Sequence, residues 1–259
     1  MELKLDKVSY QDKIKNISYE FEEGKVTSII GASGSSKTTL SYLISGILKD
    51  YSGTIINTYI GRELGYIFEK PEESFIFNTV REEIAFGLEK YHYKLDILDK
   101  RIEDSLKIVG LNNSYLNKSP FELSSGEKES LALATIIALN PKLIIIDYPT
   151  IYLDNKKEEK LIRLLKKLKN NYHKTVILIS SDIDFVLKVT DNYLLLKKGK
   201  IVSKGTKKDL LTCDKLKSSG IEVPKIIEFI NTVKKKKNVN LEVTFDIKEL
   251  MKDIYRNVK

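Results

Sequence analysis

Cysteine and histidine are scarce in this 259-residue chain: there is one cysteine, Cys213, and two histidines, His92 and His173. A single cysteine excludes a disulfide framework and fits a reducing compartment. So few soft donors also argue against a zinc cluster. Long apolar runs are absent as well. The longest, such as Leu143–Ile146 and Val176–Ile179, fall far short of a membrane span. The opening MELKLDK has no apolar segment behind a basic one, so no secretory signal is expected. These absences point to the cytosol, or to the cytosolic side of a membrane.

What is present is ordinary for a soluble globular protein, with 42% hydrophobic and 31% charged residues. The length suffices for a core that needs no covalent staples. Lysine and arginine outnumber the acids 44 to 36, a net charge of +8. The lysines alternate with acids and carry no interleaved aromatics. Only Lys234–Lys237 forms a block, read as a solvated helix end. The excess therefore reads as a solvated surface, and no nucleic-acid partner is expected.

Short strands are expected over residues 2–30, with Val26–Ile30 a buried one running into a glycine loop. The loop covers residues 31–39, and a helix should follow to about Leu48. Strands are expected at Gly53–Ile56 and Leu64–Phe68. Helices are expected at Val80–Leu88, Leu98–Val109 and Gly126–Leu139, then a buried strand at Leu143–Asp147. A helix over Lys157–Lys169 presents Leu161, Leu164, Leu165 and Leu168 on one face. The strand Thr175–Ser180, the helix Ile183–Val189 and a hairpin around Gly199 complete the alternation. Such alternation implies an α/β fold with a largely parallel sheet. After about Thr206 the pattern becomes helical.

The loop reads Gly31, Ala32, Ser33, Gly34, Ser35, Ser36, Lys37, Thr38, Thr39. Between a buried strand and a helix, this is where a phosphate cradle belongs. Backbone N–H groups and the helix N-terminus face the anion, a lysine reaches the outer phosphates, and a hydroxyl ligates Mg²⁺. The pattern G-x-x-x-x-G-K-S/T is met except at Ser36, which stands where a second glycine is expected.

Farther on, Leu123-Ser124-Ser125-Gly126-Glu127 opens a helix, Leu143–Asp147 ends in Tyr148-Pro149-Thr150, and Leu153-Asp154 follows. Motifs of these kinds, in this order, resemble the nucleotide-binding subunit of ATP-binding cassette (ABC) transporters. The stretch from Phe68 to Leu88 and the tail from Leu216 to Pro224 look like the energy-coupling factor (ECF) and cobalt-type importer ATPases. The resemblance implies an α/β P-loop NTPase fold with a RecA-like core, an antiparallel β subdomain, a helical subdomain at about 80–140 and a small C-terminal extension. It places the ATP-binding domain at 1–206 and the extension at 207–259. It also implies ATP and Mg²⁺ as ligands and a second ATPase subunit, a paralogue or another copy. A membrane-embedded T component, a substrate-binding S component and a place on the cytoplasmic face of the cell membrane complete the expectation. The cargo would be a vitamin or a metal ion.

Carried over by motif, Lys37 and the loop amides hold the β- and γ-phosphates, while Thr38, Glu69 and Asp147 hold Mg²⁺. Ser124, Ser125, Gly126 and Glu127 form the signature that completes the facing subunit's site. Tyr10 is either an adenine-stacking residue or an ordinary strand residue. The sequence departs from the family at several catalytic positions. Tyr148 replaces the catalytic glutamate, Ser181 the switch histidine and Glu69 the Q-loop glutamine. Within the signature, Ser125 replaces a glycine and Glu127 a glutamine. A phenol is a poor general base at neutral pH, and loss of a positioned base costs about 10²–10⁴ in rate. The losses cluster on the chain's own site, which implies an asymmetric pair. A non-hydrolysing regulatory subunit, a homodimer using Glu69 as base, a nucleotide-free scaffold and an ABC-type ATPase acting on nucleic acid are the alternatives. His92, His173 and Cys213 are read as ordinary surface or loop residues, and Phe75, Phe77 and Phe86 as core.

Overall fold

The computed structural model describes residues 1–150, 153–211, 214–237, 244 and 247–257. Cys213 lies outside them. The chain opens with β1 (Leu3–Tyr10), β2 (Ile14–Glu20), β3 (Val26–Ile30), α1 (Lys37–Ser45), β4 (Ser52–Asn57) and β5 (Leu64–Ile67). A helical block follows: α2 (Val80–Lys90), α3 (Leu95–Val109) and α4 (Ser125–Leu139). Then come β6 (Leu143–Asp147), α5 (Asn155–Tyr172), β7 (Thr175–Ser180), α6 (Ile183–Val189), β8 (Asn192–Lys197) and β9 (Lys200–Thr206). Four further helices are α7 (Lys207–Leu211), α8 (Lys215–Ser218), α9 (Lys225–Lys237) and α10 (Ile247–Asn257).

The larger sheet has the order β5-β6-β7-β3-β8-β9, parallel except for the β8–β9 hairpin. The smaller sheet, β2-β1-β4, is antiparallel. The central strands β3, β6 and β7 are buried along their whole length, and alternate residues divide between the two faces. Ile144, Ile146, Val176 and Leu178 pack with the helical block and α5 and α6. Leu143, Ile145, Ile177 and Ile179 pack with α1 and the smaller sheet. The continuous apolar runs in the sequence therefore serve two cores at once.

Two expectations need correction. The first helix ends at Ser45, short of Leu48, because Gly46 takes a left-handed conformation (φ 78°) and its N–H caps the last turn. Phe75 is buried and Phe77 half-buried, but Phe86 is 44% exposed, its ring 5.0 Å from that of Phe77. His92 and His173 are both exposed and both have positive φ, at turns that end helices.

The β8–β9 turn ties the layers together. Gly199 N–H donates to Ser35 O of the glycine loop at 3.3 Å, and its carbonyl accepts from Lys15 N–H of β2 at 2.9 Å. Its φ is +74°, and a β-carbon there would run into the Lys13 backbone. Gly199→Ala should therefore cost about 2 kcal/mol of stability. A denaturation midpoint checks this, and an unchanged midpoint would show that the junction yields freely.

Candidate functional site

The glycine loop lies between β3 and α1, so the C-terminal end of a buried parallel strand feeds directly into a helix N-terminus. Gly31 has no room for a β-carbon, which would meet the Ser35 side chain and the Leu196 carbonyl. Gly34 has φ +74° and open space around it. Ser36 takes φ 76°, ψ 28°, the left-handed region that the expected glycine occupies without strain. Ser33 is exposed, Ala32, Thr38 and Thr39 are half-buried, and Ser35 is buried.

Lys37 is only 3% exposed. Its ammonium donates to Gly31 O at 2.7 Å, to Ala32 O at 2.8 Å and to the Ser35 hydroxyl at 3.3 Å. It also lies 5.2 Å from the centre of the Tyr148 ring. Burial lowers its pKa to about 8, against the upward pull of Asp147 and Glu69.

Asp147, at the end of β6, is buried with its Oδ1 unpartnered. Its Oδ2 accepts from the Tyr66 hydroxyl at 3.4 Å, and that hydroxyl meets Ser41 Oγ at 2.7 Å. Burial raises Asp147 to about 6, and the nearby Glu69 adds to the rise. The hydroxyls of Thr38 and Tyr66 and the charge of Lys37 oppose it. A buried carboxylate oxygen without a partner, beside a hydroxyl and a second acid, fits a divalent cation. Glu69 itself is exposed, just past β5. Tyr148 is half-buried with φ 49°, and burial raises its phenol to about 12.

Lys37, Glu69, Asp147 and Tyr148 lie together beside the loop. Tyr66 was not anticipated. It sits in an aromatic cluster with Tyr42 and Phe68 at the cradle's edge, ring centres 5.6 and 4.7 Å away. A tyrosine inside a strand gives no sequence sign of such a role. Ser181 is exposed and lines a cavity shared with Glu222–Ile226. Tyr10 is half-buried at the end of β1, packed on the core under α1, with its hydroxyl accepting from Gln11 at 3.2 Å. Gly220, near the end of α8, approaches Ala32 of the loop.

The signature segment starts α4. Glu127 accepts from the Ser124 N–H at 2.8 Å and hydroxyl at 2.6 Å, and from the Tyr115 hydroxyl at 2.6 Å. The Ser124 hydroxyl bond is the largest influence holding Glu127 down at about 2. This is a capping box, so Glu127 is committed to its own helix end. Gly126 is buried, and Ser124 and Ser125 are exposed.

The family model described as ABC transporter matches residues 14–151. An ABC transporter ATP-binding protein of Pyrococcus horikoshii is 36% identical, the match covering 93% of each chain. The chain belongs to the ABC transporter ATP-binding family. Within it, the energy-coupling factor transporter ATP-binding protein EcfA2 of Clostridium tetani is 32% identical over 94% of this chain and 89% of its own. The EcfA1 counterpart of Mycoplasmopsis synoviae is 34% identical over 93% and 92%. The solved cbiO1 of Clostridium perfringens, part of the ABC transporter complex cbiONQ, superposes with TM-score 0.74 at 26% identity, covering 88% of this chain and 98% of its own. The fold is thus the ABC ATPase fold, and the family activity is ATP hydrolysis.

Two substitutions test this geometry. Ser36→Gly should stabilise the protein by about 1 kcal/mol, because the left-handed backbone no longer opposes a β-carbon. Asp147 carries a raised pKa, so its ionised form is disfavoured in the fold. That penalty is absent below its ordinary pKa near 4, grows as pH rises toward 6, and then stays constant. Asp147→Asn should therefore raise the metal-free melting temperature at pH 7.5 and not at pH 4. It should also abolish the added stabilisation by Mg²⁺-ATP.

Proposed function

We propose that this chain is the ATP-binding subunit of an ECF-type importer and the degenerate half of an asymmetric ATPase pair. The observation that carries the reading is Tyr148. At the position where the family pattern has a glutamate, a phenol with its pKa near 12 lies over the Lys37 ammonium. It stays protonated at neutral pH and accepts no proton from an attacking water.

In this reading the loop amides from Gly31 to Thr39 and Lys37 bind the phosphates, and Lys37 leaves the Gly31 and Ala32 carbonyls to reach them. Thr38, Asp147 and exposed Glu69 hold Mg²⁺, whose charge offsets that of the phosphates. Tyr10 stacks on the base. Ser181 supplies a hydrogen bond where a histidine would stand. ATP bound here is held and turned over slowly. Ser124 and Gly126 serve the site of the facing subunit, at a helix N-terminus that favours an anion. Relatives named EcfA1 and EcfA2 are both about equally similar, which supports a paralogous partner.

Exposed Ile76 and Phe86, with half-buried Phe77 between them, make an apolar patch at the start of the helical block. A patch of this kind supports docking of a membrane-embedded T component, with an S component carrying a vitamin or metal ion. Among the described residues no helix is long and apolar enough to cross a membrane, in keeping with a peripheral subunit on the cytoplasmic face. Residues 1–206 form the ATP-binding unit, with its helical part at about 80–140, and 207–259 the extension.

The test is turnover in the assembled pair. Ser124→Ala should lower ATP turnover by about 10²-fold, because it strips a contact from the working site. Tyr148→Phe should leave turnover nearly unchanged. The reverse pattern would overturn the asymmetric assignment.

A further inference from the structure

β5 and β6 pair in parallel with Tyr66 opposite Ile145, two residues before Asp147. Side chains alternate across a strand, so Tyr66 and Asp147 stand on one face of the sheet, the face that α1 covers. From α1, the fully buried Ser41 meets Tyr66 there.

The contacts form a closed circuit. Ser41 Oγ lies 2.8 Å from the Thr38 carbonyl oxygen and 2.7 Å from the Tyr66 hydroxyl. The Tyr66 hydroxyl lies 3.4 Å from Asp147 Oδ2. The Thr38 hydroxyl in turn stabilises the Asp147 carboxylate. Ser41 and Tyr66 thus join two groups assigned to Mg²⁺ in the proposed function. Neither is among the residues carried over by motif.

Proton supply decides the direction of these bonds. Ser41 and Tyr66 hold one hydroxyl proton each, and a carboxylate only accepts. A phenol stays protonated at neutral pH. If Ser41 donates to Thr38 and Tyr66 to Ser41, the phenol turns its lone pairs toward a buried carboxylate oxygen. If Ser41 donates to Tyr66 and Tyr66 to Asp147, Oδ2 gains a donor. The second arrangement exchanges a neutral bond for a charge-assisted one. The Thr38 carbonyl is not left bare, since it lies within α1 and accepts a backbone N–H of the helix. The phenol ring is held as well, flanked by Tyr42 and Phe68 with ring centres 5.6 and 4.7 Å away. A carboxylate with one oxygen so tethered presents the other in a fixed direction, and Asp147 Oδ1 has no partner.

We propose that Tyr66 is a positioning residue for the divalent cation, its hydroxyl aimed by Ser41 and tethering Asp147 Oδ2 so that Oδ1 is left for the metal. Tyr66 acts through Asp147 and does not itself hold the cation. The role rests on the reading above in which Thr38 and Asp147 bind Mg²⁺.

The experiment measures the ATP affinity of the full chain by calorimetry, once with excess Mg²⁺ and once with EDTA. The ratio of the two affinities is the Mg²⁺ enhancement. Tyr66→Phe keeps the ring and removes the hydroxyl. It should lower the enhancement by about tenfold and leave the affinity in EDTA unchanged. A packing defect would instead weaken both alike. Ser41→Ala should act in the same direction by about threefold, because Tyr66 keeps its hydroxyl and loses only its aim. An enhancement unchanged in Tyr66→Phe, or an equal loss of affinity in EDTA, overturns the proposal. If Tyr66→Phe does not melt cooperatively, Ser41→Ala decides: a reduced enhancement supports the tether and an unchanged one overturns it. A natural chain whose ATP affinity ignores Mg²⁺ contradicts the Mg²⁺ site and the tether together. An enhancement that survives intact in both variants keeps the site and removes the tether alone.

Discussion

A lysine buried to within a few per cent must find oxygen partners or give up its proton. Lys37 finds them in the carbonyls of its own loop, and much of the architecture serves that arrangement. β3 delivers the loop from the middle of the parallel sheet, and α1 carries the lysine away from it. The β8–β9 turn holds Ser35 through Gly199, while β6 brings Asp147 and Tyr148 alongside. The ammonium bonds are those a phosphate must replace, so the cradle is preorganised and self-occupied at once.

The two ends of the chemistry have been altered unequally. On the chain's own side, the base position holds a protonated phenol, and the switch position holds an exposed serine facing the 222–226 segment. The groups proposed to hold nucleotide, Lys37, Thr38 and Asp147, are retained. At the other end, α4 starts from a complete capping box, with Ser124 and Gly126 at its tip. Glu127 differs from the family's glutamine, yet it stabilises the helix that presents the serine. In the proposed pair, binding and lending groups are retained while proton-accepting groups are lost, which is the logic of one working site.

Much of this was legible in the sequence because the signals are local. Continuous apolar runs at Val26–Ile30, Leu143–Asp147 and Thr175–Ser180 mark strands buried on both faces, and the loop motif sits at one strand end. The left-handed Ser36 and the Tyr148–Lys37 contact were not, since both follow from backbone geometry set by the sheet. The early end of α1 at Gly46 and the serine-to-glutamate spacing of the capping box are local signals of the same kind. Phe86 illustrates a different limit, because hydrophobicity alone does not separate a core residue from an exposed patch.

The central claim is that this chain holds ATP without hydrolysing it effectively. The most direct measurement is a single-turnover assay: the purified chain alone, in excess over labelled ATP with Mg²⁺, followed for conversion to ADP. The account predicts bound nucleotide that stays almost entirely ATP over the time a working cassette needs for many turnovers, with Lys37→Ala abolishing the binding. Rapid conversion to ADP, lost on Lys37→Ala, would contradict it and return the catalytic role to this chain's own site.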